Sequence, residues 1–206
     1  MTVPPYNCGM SESRVRAVSV PLAAARSASI LSDIGATLAC SAFIALLSRV
    51  AINLPFSPVP VTGQTLGVLL TGAVLGSRRG AASVLAYIAL GISGLPVFAL
   101  GAGPAYLLGP TGGYLAGFVL AAWLSGFIAE QRWGRRIPGT LLALIAGNLA
   151  VYVGGLIWLS RFAGWSRVLP LGLYPFIPGD SCKLLIAALS LPVGWSLTRR
   201  HHSTTR

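Results

Sequence analysis

The sequence is short of charge. Only 9% of its residues are charged, four of them acids, while 54% are apolar. A soluble globular domain carries about 25% charged residues, so the deficit argues against an ordinary soluble domain. Apolar runs near 20 residues without charge predict transmembrane helices. Three long stretches have no Asp, Glu, Lys, Arg or His: Val50–Ser77, Gly80–Ala129 and Ile137–Ser160.

The sequence also lacks the motifs of common enzyme classes. It contains no GxxxxGK[ST], HExxH or GxSxG, which argues against a P-loop ATPase, a zinc protease and a serine hydrolase. Cys8, Cys40 and Cys182 are far apart and form no CxxC pair, so they do not make a zinc site. We therefore expect no catalytic residue, no metal and no cofactor.

A nucleic-acid partner is not expected either, although the net charge is +11. The arginines fall in short clusters between apolar segments, and no basic helix or basic-aromatic alternation is present. The lipid bilayer is the partner that this composition predicts.

The apolar segments predict an all-α integral membrane protein with six transmembrane helices. The second and third are short for a membrane of about 30 Å, and the turn Ser77-Arg78-Arg79 separates them. Short helices beside non-helical backbone are tolerated where protein or a cavity lines them, so they indicate a binding site. The predicted spans are Ile30–Ala51, Thr65–Leu75, Gly80–Gly91, Gly112–Ala129, Gly139–Ser160 and Ser181–Leu197.

The arginines predict the orientation. Eleven of the fifteen basic residues fall on one set of alternate connections, which the positive-inside rule makes cytoplasmic. We expect a multi-pass cell-membrane protein with a cytoplasmic tail over residues 1–29, a membrane domain over 30–198 and a cytoplasmic tail over 199–206. The long apolar outer connections then suggest capture of a ligand from outside.

Asp180 and Lys183 lie three residues apart at the start of the last span, in the stretch PGDSCK. Ionisable groups at membrane depth are candidates for function. Asp180 as a helix N-cap, paired with Lys183, is the alternative. A lysine in a first turn opposes the helix dipole, which favours a ligand with hydrogen-bond donors and an anionic group.

Uncharged polar residues form further candidates. Thr62 and Gln64, in VPVTGQT, either cap the second span or contact a ligand. Tyr87 in the third span, with Asn148 and Tyr152 in the fifth, either bind a ligand or hydrogen-bond between helices.

Small side chains recur every four residues on the first span. One row contains Ser32, Ala36 and Cys40, and another contains Ser41 and Ala45. Such spacing lets a neighbouring helix or subunit approach closely.

Several stretches together resemble the BioY family: PFSPVPVTGQTL running to GLPVF, then GPTGGYLAGF, and later PGDSCKLL. These proteins are biotin-binding S components of energy-coupling-factor (ECF) transporters. The resemblance, from about residue 32 to 195, implies a six-helix fold with both termini cytoplasmic and high-affinity capture of biotin. It also implies a separate membrane coupling subunit and ATP-binding cassette ATPases as partners.

The resemblance assigns roles to residues. Asp180 and Lys183 would bind biotin, with Tyr87, Tyr106, Tyr114 or Tyr152 against its apolar parts. The loop that contains Gly101 and Gly103 would form a lid. The small-residue face on the first helix, Ala36 to Cys40 and Ser41 to Ala45, would contact the coupling subunit.

Three alternatives stay open at this point. The chain could be an S component for another vitamin or a secondary biotin transporter that works alone. An intramembrane enzyme is the least favoured, because no nucleophile and base are paired.

Overall fold

The structure, a computed structural model, describes residues 30–131 and 137–188. Both predicted tails and the cluster at residues 132–136 lie outside the described residues. The described chain is almost entirely helical, as predicted. Its named helices are α1 (Ile30–Ser48), α2 (Gln64–Leu75), α3 (Ser77–Ile92), α4 (Pro104–Leu108), α5 (Gly112–Glu130), α6 (Ile137–Ala163) and α7 (Val168–Gly172). A further helix, α8, covers 177–188 of the described residues.

Three helices of the described part, α1, α5 and α6, are long and apolar enough to cross a membrane, and α2 is a shorter apolar helix. The predicted starts and ends agree closely for α5 and α6, because their apolar runs are long and their ends carry charge or glycine. The short helices α4 and α7 lie in the long apolar connections, for which the sequence suggested ligand capture but no helix.

The end of α1 was predicted too late. The chain leaves the helix at Ser48 and enters a two-stranded antiparallel hairpin of β1 (Ala51–Ile52) and β2 (Val61–Thr62). The N–H of Gly63 donates to the carbonyl of Val50 at 2.9 Å and extends this pairing. The hairpin brings β2 and the start of α2 back to the end of α1.

The turn between α2 and α3 was also placed wrongly. Gly76 alone separates the helices, with a φ of 86° that favours glycine, and Arg78 and Arg79 belong to the first turn of α3. Glu130, at the end of α5, accepts the N–H of Ser77 at 2.7 Å. This carboxylate replaces the missing helical partner of that N–H, so α3 begins three residues earlier than predicted.

The last helix likewise starts at residue 177 rather than 181. Proline is tolerated in the first turn of a helix because its missing N–H has no helical partner there. Pro178 and Gly179 therefore do not break α8, and the Asp180 N–H donates to the carbonyl of Phe176 at 2.8 Å. Asp180 is thus inside the first turn, and the N-cap interpretation is wrong.

The core is organised around α5, which packs against α2, α3, α4 and α6. Glycines permit this close approach. A Cβ on Gly117 would lie 2.9 Å from the Cα of Val151, and one on Gly72 would overlap Ser125 Oγ and the carbonyl oxygen of Ala122. Small residues at such crossings let backbones pack directly, which is how helices associate in membranes.

Polar side chains join the helices where the core is apolar. The hydroxyl of Ser41 donates to the Ser83 carbonyl at 2.7 Å, joining α1 to α3. Arg79 and Asp33 form an ion pair at 2.7 Å between the same helices. The Ser41 bond satisfies buried groups that would otherwise be costly to bury, whereas the ion pair is about one third exposed.

We predict that Gly72→Val destabilises the protein. The added side chain has no space against α5, and overpacking of this kind costs about 1–3 kcal/mol. The apparent melting temperature in detergent should fall by about 5–10 °C. Gly35→Ala is the matched control, since a Cβ at Gly35 meets nothing within 4 Å. An unchanged melting temperature for Gly72→Val would contradict the close packing of α2 on α5.

Candidate functional site

A cavity lies where the N-terminal ends of α2, α5 and α8 converge, beside α4, β2 and the second half of α6. The space between its walls is about 470 Å³, a figure that includes the open mouth. Its walls are formed by Val59, Pro60, Thr62, Gln64, Thr65, Tyr106, Thr111, Tyr114, Leu115, Phe118, Val151, Tyr152, Phe176 and Asp180.

The chemistry of these walls is mostly apolar and aromatic, with a few hydroxyls and one amide. Asp180 is the one charged side chain among them. An apolar pocket with a small number of placed polar groups is typical of a site for a small organic molecule.

Asp180 is 5% exposed, so its carboxylate is buried. Its Oδ1 accepts from Lys183 Nζ at 2.7 Å, and its Oδ2 accepts from the Tyr152 hydroxyl at 2.6 Å. A buried charge is tolerated only when paired and hydrogen-bonded. Both conditions are met, and each oxygen keeps a second lone pair.

Lys183 is held behind this carboxylate. Its ammonium also donates to the carbonyl oxygen of Thr62 at 2.6 Å, and the side chain does not belong to the cavity walls. The lysine therefore neutralises Asp180 and joins α8 to β2. The sequence correctly predicted that the two residues lie together. Asp180 lines the cavity, whereas Lys183 does not.

Thr62 takes the first of the two roles that the sequence left open, and ligand contact by Thr62 and Gln64 stays a prediction. The Thr62 hydroxyl accepts the Gln64 N–H at 3.3 Å, so it satisfies a free amide at the start of α2. It also donates to Gln64 Oε1 at 3.1 Å. Both residues are buried and line the cavity.

Tyr87 and Asn148 lie outside the cavity walls. Tyr87 is fully buried, accepts a hydrogen bond from Gln64 Nε2 and donates to the carbonyl of Val97 at 3.2 Å. Asn148 is buried on α6, one turn before Tyr152, and its Oδ1 has no hydrogen-bond partner within the described part of the chain. Whether either residue touches a ligand stays a prediction.

The segment after α3 leads into α4, and α4 places Tyr106 in the cavity wall. Its ring stacks on Phe98 with 4.8 Å between centroids, and its burial raises the pKa of the Tyr106 phenol, which keeps it neutral. Gly103 has a φ of 88° and donates its N–H to Gly91 at 2.7 Å, while Gly101 pairs with Phe98. Gly101 and Gly103 shape this segment and do not line the cavity.

Several wall residues were missed from the sequence: Thr111, Leu115, Phe118, Val151 and Phe176. Their residue types match those of a packed membrane helix. A signal was available only for Thr111, at the glycine-rich start of α5.

The predicted small-residue face of α1 is only partly outward. Ser41 is fully buried, Ala45 packs against the core, and Ala36 and Cys40 are half-buried. The small residues that are exposed are Ser32, Gly35, Ala39 and Ala42, offset by about one residue. The contacts of α1 with α3, among them the Ser41–Ser83 bond and the Asp33–Arg79 ion pair, accompany this rotation.

Fold and site together define an α-helical membrane protein with a largely apolar cavity. A family model described as the BioY family matches residues 16–200. The chain belongs to the BioY family.

Curated relatives support the same assignment. The chain is 41% identical over 149 residues to a "Probable biotin transporter BioY" of Pyrococcus horikoshii, covering 71% of this chain and 88% of the relative. It is 38% identical over 158 residues to a "Biotin transporter BioY" of Rhizobium etli, covering 71% and 84%.

A solved structure is similar too. The crystal structure of the S-component for biotin from an ECF-type ABC transporter matches with a TM-score of 0.68 and 31% identity. The match covers 79% of this chain and 89% of that one.

We predict that Lys183→Met destabilises the empty protein, because it leaves the buried Asp180 carboxylate without its counter-charge. Breaking such a pair costs about 3–5 kcal/mol, whereas removing both charges is much less costly. Lys183→Met with Asp180→Asn should therefore melt at a higher temperature than Lys183→Met alone. Thermal unfolding without ligand measures this, and a double variant no more stable than the single one would contradict the pairing.

Proposed function

We propose that this protein is the biotin-binding S component of an ECF-type transporter. The observation that carries the proposal is the buried carboxylate of Asp180 in the wall of a largely apolar cavity. The printed names of the relatives and of the solved structure, which concern biotin, support the choice of ligand.

The chemistry of biotin suits these walls. Its ureido ring has two N–H donors, and Asp180 has lone pairs beyond those taken by Lys183 and Tyr152. Its thioether ring and aliphatic chain are apolar, as are the faces of Tyr106, Tyr114, Phe118 and Phe176. In this proposal Lys183 pairs with the carboxylate and orients it, and it does not contact the ligand directly.

The protein binds and releases its ligand without its own energy source. The sequence has no P-loop, so ATP hydrolysis belongs to separate ATPases that act through a membrane coupling subunit. We further propose six membrane spans with cytoplasmic termini, which the arginine distribution supports. This orientation puts the starts of α2, α5 and α8, and therefore the cavity, toward the outside.

We predict that the purified protein binds biotin and that Asp180→Asn weakens binding by about 10- to 100-fold, because hydrogen bonds to a charged acceptor are the strong ones. Isothermal titration calorimetry measures the affinity. Asp33→Asn is the matched control, because the Asp33 carboxylate pairs with Arg79 at the start of α3. Neither residue lines the cavity. Equal affinities for wild type and Asp180→Asn would remove Asp180 from the site.

The exposed row Gly35, Ala39 and Ala42 is the surface we assign to the coupling subunit. Of the three long spans, α1 has the smallest share buried against the described residues, 17% compared with 39% for α6 and 56% for α5. Small residues on that surface permit close helix contact.

We predict that Ala39→Leu prevents stable assembly with the coupling subunit and ATPases of the same organism, while biotin affinity is unchanged. Co-purification after co-expression measures assembly, and calorimetry on the isolated protein measures affinity. Ala116→Leu, an equal change at an exposed position on α5, should assemble normally. Normal assembly of Ala39→Leu would place the docking surface elsewhere.

A further inference from the structure

Tyr87 is fully buried and lies outside the cavity walls, yet it is hydrogen-bonded to Gln64, which lines them. A buried tyrosine hydroxyl needs a partner, and Val97 alone would supply one. The additional bond to Gln64 affects the orientation of the Gln64 amide, and the direction of each hydrogen bond shows how.

The carbonyl oxygen of Val97 can only accept hydrogen bonds, so the groups bonded to it are the donors. It receives the hydroxyl of Tyr87 at 3.2 Å and that of Ser48 at 2.7 Å. With its proton donated to Val97, the oxygen of Tyr87 accepts a further bond from Gln64. The part of Gln64 that faces it must be the amine, Nε2.

With Nε2 committed to Tyr87, the carbonyl oxygen Oε1 is the group that Gln64 has left. Oε1 lies 3.1 Å from the hydroxyl of Thr62, which donates to it. Thr62 is itself a wall residue, so this side of the amide is the cavity side. Oε1 has two lone pairs, and one remains after the bond to Thr62.

Packing prevents the ring of Tyr87 from moving. Phe98 is fully buried and meets Tyr87 edge-on, with 5.6 Å between centroids, while Tyr106 stacks on Phe98. Phe98 sits where Gly91 has no side chain, and a Cβ there would overlap its ring. The hydroxyl of Tyr87 is held by its neighbours as well as by its hydrogen bonds.

We propose that Tyr87 is a positioning residue that fixes the Gln64 amide with its carbonyl oxygen toward the cavity. This wall then accepts a hydrogen bond from an N–H group of the ligand and disfavours ligands that present only acceptors there. The inference rests on the proposed function, in which the donor is an N–H of the ureido ring. Tyr87 contributes to specificity without touching the ligand.

The test is a double-mutant cycle on biotin affinity, measured by calorimetry for wild type, Tyr87→Phe, Gln64→Leu and the double variant. We expect Tyr87→Phe and Gln64→Leu each to weaken binding by about ten-fold or more. The double variant should bind no more weakly than Gln64→Leu, because Tyr87 acts only through Gln64. Tyr174→Phe, at an exposed tyrosine, is the matched control and should match wild type.

A second readout separates positioning from packing. Removing the hydroxyl frees the amide to rotate and present Nε2, so Tyr87→Phe should lose preference for biotin over one of its two singly N-methylated ureido derivatives. Losses that add in the double variant, an unchanged preference, or a Tyr87→Phe chain without a cooperative unfolding transition would overturn the inference. Absence of biotin binding by the wild type would instead overturn the proposed function.

Discussion

The buried carboxylate of Asp180 is the constraint on which the rest of the site depends. A charged group away from water needs a counter-charge and hydrogen bonds, and three elements supply them. Lys183 is on α8 itself, Tyr152 is on α6, and the Thr62 carbonyl that anchors the lysine is on β2. The starts of α2, α5 and α8 converge on the same place, and the positive ends of helix dipoles favour a negative charge there. The hairpin, α6 and α8 therefore all contribute groups to the bonds around the Asp180 carboxylate.

A series of hydrogen bonds connects the Asp180 carboxylate on α8 to β2, α2 and α3 in turn. Asp180 binds Lys183, Lys183 binds the carbonyl of Thr62, and the hydroxyl of Thr62 binds Gln64. Gln64 continues to Tyr87, and Tyr87 to the segment after α3. These polar groups are thus hydrogen-bonded to one another without a ligand, and a preorganised site loses less free energy on binding.

The sequence predicted the helices and the key acid far better than it predicted the cavity. Long uncharged runs identify α5 and α6 because membrane burial demands such runs. The helix starts were less predictable: Glu130 extends α3 across space, and Pro178 reads as a break although it fits a first turn. Phe118 and Phe176 could not be distinguished from packing residues, since an apolar wall and an apolar core use the same side chains. The outward face of α1 depends on contacts with α3 such as those of Ser41 with Ser83 and Asp33 with Arg79, which four-residue spacing cannot specify.

The charge balance of the site determines what kind of ligand it favours. Lys183 offsets the negative charge of Asp180 at 2.7 Å, so the wall offers acceptor oxygens without a net charge. A cationic ligand would gain little there, because it would have to replace an ammonium that is already in place. A neutral group with N–H donors uses the remaining lone pairs of Asp180 and leaves the ion pair intact. In the proposed site the lysine disfavours cationic ligands, because it occupies the position that a cation would take beside Asp180.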